Sequence, residues 1–338
     1  MTQNETIDFL REHNQQHIIQ HYRRLNPDKQ DIFRRNLEGL DLPLVFSLHR
    51  EFSGREFSAL LPRDIQPAPV ITAPKTPSEA ALREKAGRAG EALLRENRVA
   101  VLLAAGGQGS RLGFDGPKGV FLVSPVKKKS LFQLFAETVS ALNRRYRSAV
   151  PLLIMTSPEN DRPIKDFFQA NHFFGLDPGA VFFFRQALLP TVTAEGSLIL
   201  KDEVRLFTNP DGHGGSLKAL HKSGLLSELV QKGFSELFYC QVDNPLVKIA
   251  DPIFLGYHRI SESEFSLKVL RRRNEAEKIG VYALLDGKPG VIEYSDLAPG
   301  NACLTAGEDM RFWAGSIAIH VLALSFVERL NRQGFKLP

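Results

Sequence analysis

The sequence is poor in cysteine: Cys240 and Cys303 are its only two, and neither belongs to a Cys-x-x-Cys pair. Disulfide scaffolds and structural zinc sites both need several cysteines at short, regular spacing. The sequence therefore predicts neither of these two kinds of stabilisation. It favours a reducing compartment, and we expect a cytoplasmic protein.

The sequence also lacks the segments that direct a chain to a membrane. It begins with the polar and acidic stretch MTQNETIDFL, whereas a secretory signal peptide begins with basic residues followed by an apolar run. No apolar run approaches the length of a membrane span. The basic runs 127–129 and 271–273 are short, and a net charge of +5 fits anionic small molecules better than a nucleic-acid groove. We predict neither a membrane nor a nucleic acid as a partner.

The 338 residues are 43% hydrophobic, which is enough for one large core or two smaller ones. Between Thr6 and Glu51 the apolar residues recur at helical spacing, and Asn26 followed by Pro27 is typical of the N-cap and first turn of a helix. Three histidines in this region lie four residues apart without carboxylate or cysteine partners, and we interpret them as surface residues: His13, His17 and His21. These patterns predict a helical N-terminal segment over residues 1–60.

Prolines mark the boundary that follows this segment. Five of them fall between Leu61 and Pro77, where they interrupt helix and strand alike. Ser78 is then expected to cap a helix that runs to about Glu96. The sequence thus predicts a proline-rich connection and helix over residues 61–98, followed by a catalytic domain over residues 99–338.

From Val99 onward, short apolar runs alternate with helical patterns. Helices are predicted at Ser130–Arg147 and Pro163–Phe174. Strands are predicted at Val99–Ala105, Pro151–Met155, Val181–Phe184, Leu237–Val242, Ser266–Leu270 and Val281–Leu284. The alternation predicts an α/β fold of the Rossmann type, with a mixed, mainly parallel sheet, helices on its faces and a ligand at the carboxyl ends of its strands.

The first of these strands leads into a glycine-rich stretch, 101–118, which reads VLLAAGGQGSRLGFDGPK. Glycine lacks a Cβ, so such a backbone turns sharply and brings its N–H groups against a phosphate or a base. The dinucleotide fingerprint does not fit, because Leu112 stands where its third glycine belongs. The P-loop does not fit either, because Lys118 is followed by glycine and not by serine or threonine. Arg111 and Lys118 remain as two cations at fixed spacing, which predicts a triphosphate held at two points.

This stretch resembles the signature of the eukaryotic-type UDP-sugar pyrophosphorylases, and most closely that of the UDP-N-acetylhexosamine pyrophosphorylases. The resemblance continues, in order, through residues 155–157, 173–176, 186–190, 210–215, 242–248, 279–281, 291–295 and 314–320. It implies a nucleotidyltransferase fold similar to the GT-A type. It also implies a uridylyl transfer in which a sugar 1-phosphate, N-acetylglucosamine 1-phosphate first of all, attacks UTP and yields a UDP-sugar and pyrophosphate.

The resemblance assigns roles to individual residues. Those implied to hold the uridine nucleotide are Leu103, Ala104, Ala105, Gly106, Gly107, Gly109, Gln186 and Gly212. Arg111 is implied to face the departing pyrophosphate, Lys118 to contact the transferred α-phosphate, and Asp243 to hold Mg²⁺ against phosphate oxygens. Those implied to line the sugar pocket are His213, Gly280, Glu293 and Ser316. The nucleophile is already anionic, so positioning and charge neutralisation suffice for catalysis.

Two departures from the family pattern leave alternatives. His213 and Ser316 stand in the sugar pocket where asparagine is usual, so a UDP-glucose or a broad UDP-sugar activity is one alternative. The family continues after the position of Pro338 with a His-x-x-x-Lys-Lys-Ile-Pro block that supplies a phosphate-binding lysine, and we therefore expect the sequence to be a fragment. A non-catalytic protein that binds UTP or a UDP-sugar is the second alternative. The third, a nicotinamide-dependent oxidoreductase, is disfavoured by the missing fingerprint glycine.

Overall fold

The structure is a computed structural model, and it describes residues 3–53, 64–212, 214–274, 276–296 and 310–334. The chain folds into two compact units. One combines residues 1–60 with 186–215, and the other combines residues 61–185 with 216–338. The domain boundaries that we place after residues 60 and 98 stay predictions.

The first unit is a helical cluster with a short β-ribbon. Its helices are α1 Gln3–Glu12, α2 Gln16–Arg24, α3 Pro27–Glu38 and α4 Leu42–Phe52, and its ribbon strands are β5 Leu188–Pro190 and β6 Thr208–Pro210. The predicted helical N-terminal segment is confirmed in the described residues. Asn26 caps α3 as predicted, because its side chain accepts a hydrogen bond from the Lys29 N–H at 2.9 Å. Leu198 and Leu206 from the second stretch of this unit join its apolar core.

Side chains of helix α2 and of its N-cap residue, Gln15, bind the backbone of residues 196–203. Buried Gln15 donates from Nε2 to the Gly196 carbonyl oxygen at 2.9 Å and accepts from the Leu198 N–H at 2.8 Å. His17 Nε2 lies 2.8 Å from the Leu198 carbonyl oxygen, and His21 Nε2 lies 2.8 Å from that of Glu203. His17 and His21 therefore do more than the surface role that we assigned from the sequence, since they satisfy carbonyl groups more than 170 residues away.

His13, the third histidine of the series, is partly buried. Its ring stacks between those of Phe9 and Phe46, with centroids 4.3 and 4.4 Å away. This contact ties α1 to α4 and gives the residue a packing role that its spacing in the sequence did not predict.

The second unit is built on a nine-stranded mixed sheet. Its strands are β1 Ile65–Pro67, β2 Val99–Ala104, β3 Leu152–Thr156, β4 Val181–Arg185, β7 Glu236–Gln241, β8 Phe265–Arg271, β9 Val281–Leu285, β10 Lys288–Ile292 and β11 Ala314–Ala323. The order β7-β2-β3-β4 is parallel, and β11 pairs antiparallel with β7. The predicted α/β fold with a mixed sheet is confirmed, and the six predicted strands end within one residue of the observed ones.

Seven of the described helices belong mainly to this unit: α5 Pro77–Arg95, α6 Leu131–Tyr146, α7 Asp161–Ala170, α8 Gly215–Lys222, α9 Leu225–Gln231, α10 Pro252–Ile260 and α11 Leu324–Arg332. They cover both faces of the sheet. Side chains of β2 alternate between two cores, because successive residues of a strand point to opposite faces. Val101 packs into the core that α5, α6, α7 and α10 complete, and Leu102 into the core that α8, α9 and α11 complete. Across the described ranges, no helix combines the length and the hydrophobicity that crossing a bilayer requires.

Two predicted helix ends are wrong. Thr76, and not Ser78, is the N-cap of α5: it forms a capping box with Glu79, and proline fits the first turn after it. Helix α7 ends at Ala170, four residues before the predicted end, since Phe173 and Phe174 adopt left-handed φ angles of 52° and 53°. Both rings contact Phe168 within the core, which compensates for the left-handed backbone.

Helices α5 and α10 touch through their backbones. A Cβ built on Gly90 would lie 1.8 Å from the Pro252 carbonyl oxygen, and one built on Gly256 would lie 1.6 Å from that of Ala86. Only hydrogen fits at these two positions, so the pair of helices depends on both glycines.

Candidate functional site

The predicted nucleotide-binding residues of the glycine-rich stretch lie at one edge of the sheet of the second unit. In the parallel register, Ala104 of β2 lies opposite Met155 of β3 and Gln241 of β7. Because these three strands end together, the segments that follow them meet at the same edge. The glycine-rich stretch follows β2, and Asp243 follows β7.

After β2 the glycine-rich stretch folds back as a tight loop. The Gly109 N–H donates to the Gly116 carbonyl oxygen at 2.9 Å, and the Lys118 N–H donates to that of Gly107 at 3.1 Å. Phe114 packs against Gly109 so closely that a Cβ there would lie 2.8 Å from the ring, and Gly113 has a φ of +66°. Glycine at these two positions therefore allows the chain to return Lys118 to the end of β2.

A run of backbone N–H groups is available at the start of the loop. Leu103 and Ala104 belong to the paired part of β2, and the Ala105 N–H donates to the Met155 carbonyl oxygen at 2.9 Å. Within the described ranges, the N–H groups of 106–108 have no hydrogen-bond acceptor. Successive free N–H groups in a turn form a concave site for anions. The part of the stretch that can donate to a ligand thus starts at Gly106.

Lys118 and Asp243 form an ion pair beside this run. The Lys118 Nζ lies 2.9 Å from each carboxylate oxygen of Asp243, and a Cβ built on Gly107 would lie 3.8 Å from that Nζ. The lysine side chain is 17% exposed and the aspartate side chain 54%. Two residues that are 125 positions apart in sequence are therefore brought together at the N–H run, as their predicted roles require.

Arg111 occupies the outer turn of the loop and is exposed. In the part of the chain that the structure describes, its guanidinium makes no hydrogen bond or ion pair. An exposed cation at the rim can reach an anion that enters the loop, whereas Lys118 is held at its floor by Asp243. The two predicted cations thus differ in how firmly they are placed.

Asn160 is a residue of this site that the sequence did not reveal. It is 1% exposed, and its Nδ2 donates to the carbonyl oxygens of Gly106 at 2.9 Å and Gly107 at 3.3 Å. The preceding stretch, MTSPE, was part of the resemblance only as far as Ser157, and a single polar residue after a strand gives no local signal.

A buried carboxylate holds the segment that carries Asn160. Asp161 accepts hydrogen bonds from Thr156 at 2.8 Å, Lys165 at 2.9 Å and Arg185 at 2.7 Å. Burial raises the pKa of this carboxyl, but the hydrogen bonds from Arg185, Lys165 and Thr156 outweigh burial and hold the pKa below its usual value. This network joins the carboxyl ends of β3 and β4.

We expect Asp161→Asn to destabilise the protein by about 2 kcal/mol at pH 7. A folded-state pKa below the unfolded value of about 3.9 stabilises the protein above that pH, and this contribution is lost as the pH falls through the folded pKa. As the pH falls below about 5, the free energy of unfolding should therefore decrease less for the variant than for the wild type. Urea unfolding at several pH values measures this difference. Asp166→Asn on the same helix is the control, because Asp166 is 58% exposed. Parallel acid curves for wild type and Asp161→Asn would contradict this prediction.

Three predicted sugar-pocket residues also come together. The Ser316 N–H donates to the Gly280 carbonyl oxygen at 2.8 Å, and a Cβ built on Gly280 would lie 3.4 Å from Glu293 Oε1. Since β11 runs antiparallel to β7, its first residues lie toward the carboxyl end of β7. The group therefore lies toward the edge that carries Asp243.

A β-bulge shapes strand β11 next to this group. Between Ser316 and His320 the strand has two more residues than the facing part of β8, and Ala318 has a φ of +53°. Such a bulge turns a strand locally and often lies next to a binding site. It lets β11 pair with β7 at one end and with β9 at the other.

Given the sugar-pocket role that the resemblance implies for Gly280, Glu293 and Ser316, Gly280→Ala should impair the sugar side of the site alone. Its Cβ would lie 2.8 Å from Val291 Cγ1 and push β10, with Glu293, away from Ser316. We expect the KM for the sugar 1-phosphate to rise about tenfold, equivalent to ~1.4 kcal/mol, with an unchanged Kd for UTP. Steady-state kinetics and calorimetry measure the two constants. The double variant Gly280→Ala/Val291→Ala removes the clash and should restore the KM, and a rise in the UTP Kd would contradict the assignment.

The remaining predicted residues lie in the first unit. Gln186 is buried, and the β5–β6 register, with Leu188 opposite Pro210, continues through a hydrogen bond from the Asp211 N–H to the Ala187 carbonyl oxygen at 3.2 Å. Gln186 and Gly212 therefore flank the same end of the ribbon. Gly212 has a φ of +73°. His213 lies outside the described residues.

Asp243 is predicted to hold Mg²⁺, and this assignment stays a prediction. Mg²⁺ is usually held by one or two carboxylates together with phosphate oxygens of a substrate. Both oxygens of Asp243 already face a cation, the Lys118 ammonium, and the carboxylate is half-exposed. In the described ranges, no cluster of three or more His, Cys, Asp or Glu side chains forms an all-protein metal site. The donor set fits a metal ion that arrives with phosphates.

Comparison with known proteins gives consistent matches. The family profile described as UTP–glucose-1-phosphate uridylyltransferase matches residues 63–312. UDP-N-acetylglucosamine diphosphorylase 2 of Arabidopsis thaliana is 32% identical over 349 aligned positions, which cover 96% of this chain and 67% of the relative. UDP-N-acetylhexosamine pyrophosphorylase-like protein 1 of Homo sapiens is 37% identical over 244 positions, 70% of this chain and 48% of the relative. The chain thus spans between about half and two thirds of the length of these relatives.

A solved structure matches nearly the whole chain. The uridine diphosphate N-acetylglucosamine pyrophosphorylase of Trypanosoma brucei, solved in complex with an inhibitor, superposes with a TM-score of 0.81 at 25% identity. The match covers 98% of this chain and 69% of that one.

Proposed function

The chain belongs to the UTP–glucose-1-phosphate uridylyltransferase family, and from this premise we propose that it transfers a uridylyl group from UTP to a sugar 1-phosphate. N-acetylglucosamine 1-phosphate is the proposed acceptor, since the Arabidopsis relative is a UDP-N-acetylglucosamine diphosphorylase and the Trypanosoma structure is that of a UDP-N-acetylglucosamine pyrophosphorylase. The observation that carries the proposal is the Lys118 ammonium, held by Asp243 beside the free N–H groups of 106–108. A cation and a row of N–H donors at one strand edge suit a nucleoside triphosphate.

The proposed chemistry needs charge neutralisation and alignment more than proton transfer. An oxygen of the sugar 1-phosphate attacks the α-phosphorus of UTP, the bond to the pyrophosphate oxygen breaks, and pyrophosphate leaves. Lys118 contacts the α-phosphate, where charge is redistributed in the transition state, and exposed Arg111 closes on the leaving pyrophosphate. Gly280, Glu293 and Ser316 orient the sugar, with the Glu293 carboxylate accepting from hydroxyl groups.

Asp243 is the residue that would hold Mg²⁺ beside the phosphates of UTP, and the ion would supply positive charge against the phosphate oxygens. The same carboxylate pairs with the Lys118 ammonium. The ion pair keeps Lys118 in place beforehand, which lowers the cost of ordering its side chain when the nucleotide binds.

Two further candidates rest on specific residues. Ser316, where asparagine is usual in the family that the sequence resembles, favours testing glucose 1-phosphate as an acceptor. A protein that binds UTP without turnover is the candidate of a different class, because the free N–H groups of 106–108 and the Lys118 ammonium would also suit binding alone. Measuring turnover and UTP binding side by side distinguishes both candidates from the proposed function.

The experiment measures pyrophosphate release from UTP and Mg²⁺ with N-acetylglucosamine 1-phosphate, N-acetylgalactosamine 1-phosphate, glucose 1-phosphate and galactose 1-phosphate in separate reactions. We expect release with N-acetylglucosamine 1-phosphate, none without a sugar phosphate, and loss of release when EDTA removes Mg²⁺. Calorimetry with UTP runs alongside. Saturable UTP binding without release from any of the four sugar phosphates would overturn the transferase and leave the binding protein.

A further inference from the structure

We propose that Asn160 is a positioning residue for the nucleotide: its side-chain amide sets the direction of the N–H groups in the loop. The inference rests on the proposed function, because it concerns the same uridine nucleotide. Its basis is the contact of one buried amide group with two successive carbonyl oxygens, those of Gly106 and Gly107.

The geometry of the peptide bond turns this contact into an orientation. In a trans peptide the C=O of one residue and the N–H of the next point in opposite directions within one plane. Because the Gly106 and Gly107 oxygens face Asn160, the N–H groups of Gly107 and Gln108 face away from it. Both N–H groups lack an acceptor within the described residues, so they are free to meet an anion on the open side of the loop.

The same contact reaches Lys118. The Gly107 carbonyl oxygen accepts from Asn160 Nδ2 at 3.3 Å and from the Lys118 N–H at 3.1 Å. One carbonyl group thus joins the buried amide, the loop and the backbone of the lysine. A rotation of the 107–108 peptide would break both hydrogen bonds, so Asn160 fixes the N–H run and the lysine relative to each other.

The two glycines make the contact with Asn160 necessary. Gly106 and Gly107 have no side chains that restrict their peptides, and either peptide can rotate at little steric cost. An asparagine amide has two N–H donors, enough for both oxygens, whereas an aspartate carboxylate would place an acceptor against two acceptors. Asparagine is therefore suited to binding the Gly106 and Gly107 carbonyl oxygens.

The position of Asn160 is itself fixed by its neighbours. Its N–H donates to the Ser157 carbonyl oxygen at 3.0 Å, and its own carbonyl oxygen accepts from the Ile164 N–H at 2.9 Å, as the first turn of α7 requires. The adjacent Asp161 is locked by Thr156, Lys165 and Arg185. A positioning residue needs a rigid structural support of this kind.

The test compares Asn160→Asp with the wild type and with Asn143→Asp. Asn143 is a matched control, because its side-chain amide likewise donates to a carbonyl oxygen, that of Val150 at 3.2 Å, but at the amino end of β3. We expect Asn160→Asp to raise the Kd and the KM for UTP about tenfold to a hundredfold, with the KM for the sugar 1-phosphate within about twofold of the wild type. Asn143→Asp should lower the melting temperature and leave both constants unchanged. Asn160→Ser keeps one hydroxyl donor, so its Kd and KM for UTP should lie between those of Asn160→Asp and the wild type. This variant replaces Asn160→Asp in the test if Asn160→Asp does not fold.

The outcomes separate this inference from the proposed function. Wild-type protein that binds UTP, together with folded Asn160 variants that bind it equally well, would overturn the positioning role and leave the transferase intact. An equal rise in both KM values with a lower melting temperature would show a merely structural residue and also overturn it. Wild-type protein that binds no uridine nucleotide would overturn the proposed function and this inference together.

Discussion

Lys118→Ala should lower kcat by roughly two to three orders of magnitude, the usual effect of removing one preorganised charge from a transition state. The lysine ammonium lies at the floor of the loop, next to Gly107, and substitution leaves no other described cation at that point. We expect the KM for UTP to change much less than kcat, because Lys118 acts on the phosphate that is transferred. Pyrophosphate release at saturating substrates measures the effect.

The fold should survive this substitution. The Asp243 side chain is 54% exposed, so water can solvate it once the lysine is gone, and ion pairs with an exposed partner stabilise a fold little. Lys127→Ala, in the exposed turn that follows the loop, is the matched control and should keep the wild-type kcat. Arg111→Ala should also lower kcat strongly, since Arg111 is the other cation of the loop. A kcat within about threefold of the wild type for Lys118→Ala would remove that residue from the mechanism.

Gly256→Ala should destabilise the protein by roughly 3 kcal/mol or more. The added Cβ would lie 1.6 Å from the backbone carbonyl oxygen of Ala86, and a backbone atom of a helix cannot move aside as a side chain can. Helices α5 and α10 would have to separate, which exposes part of the core that Leu94 and Leu255 share. Urea unfolding monitored by circular dichroism gives the change in free energy.

A glycine of the same helix pair gives the control. A Cβ built on Gly87 of α5 would lie 3.9 Å from Ile253 Cγ1, an ordinary van der Waals contact. Gly87→Ala should therefore stabilise the protein by about 0.5–1 kcal/mol, because alanine loses less conformational entropy in a helix. Equal destabilisation by the two variants would mean that the close approach of α10 is not the cause.

Much of the site was predictable because its signals are local. Arg111 and Lys118 could be singled out, since a glycine-rich turn after a buried strand with two cations at fixed spacing has few other uses. Asn160 could not, because its function depends on contact with carbonyl groups more than 50 residues away. Gln15 is a comparable case in the first unit: a polar residue between two helices that binds the backbone near Gly196.

The sequence by itself determined the α/β class, the ends of the main strands and the glycine-rich loop. Each of these depends on residues that are close in the chain, through side-chain periodicity, capping or the freedom of glycine. The tertiary structure alone decided that Lys118 pairs with Asp243, that Ser316 binds the backbone of Gly280 and that β11 bends at its bulge. These depend on strand order and register, which bring distant segments to one edge of a sheet and are set by the packing of the whole core, not by any local pattern.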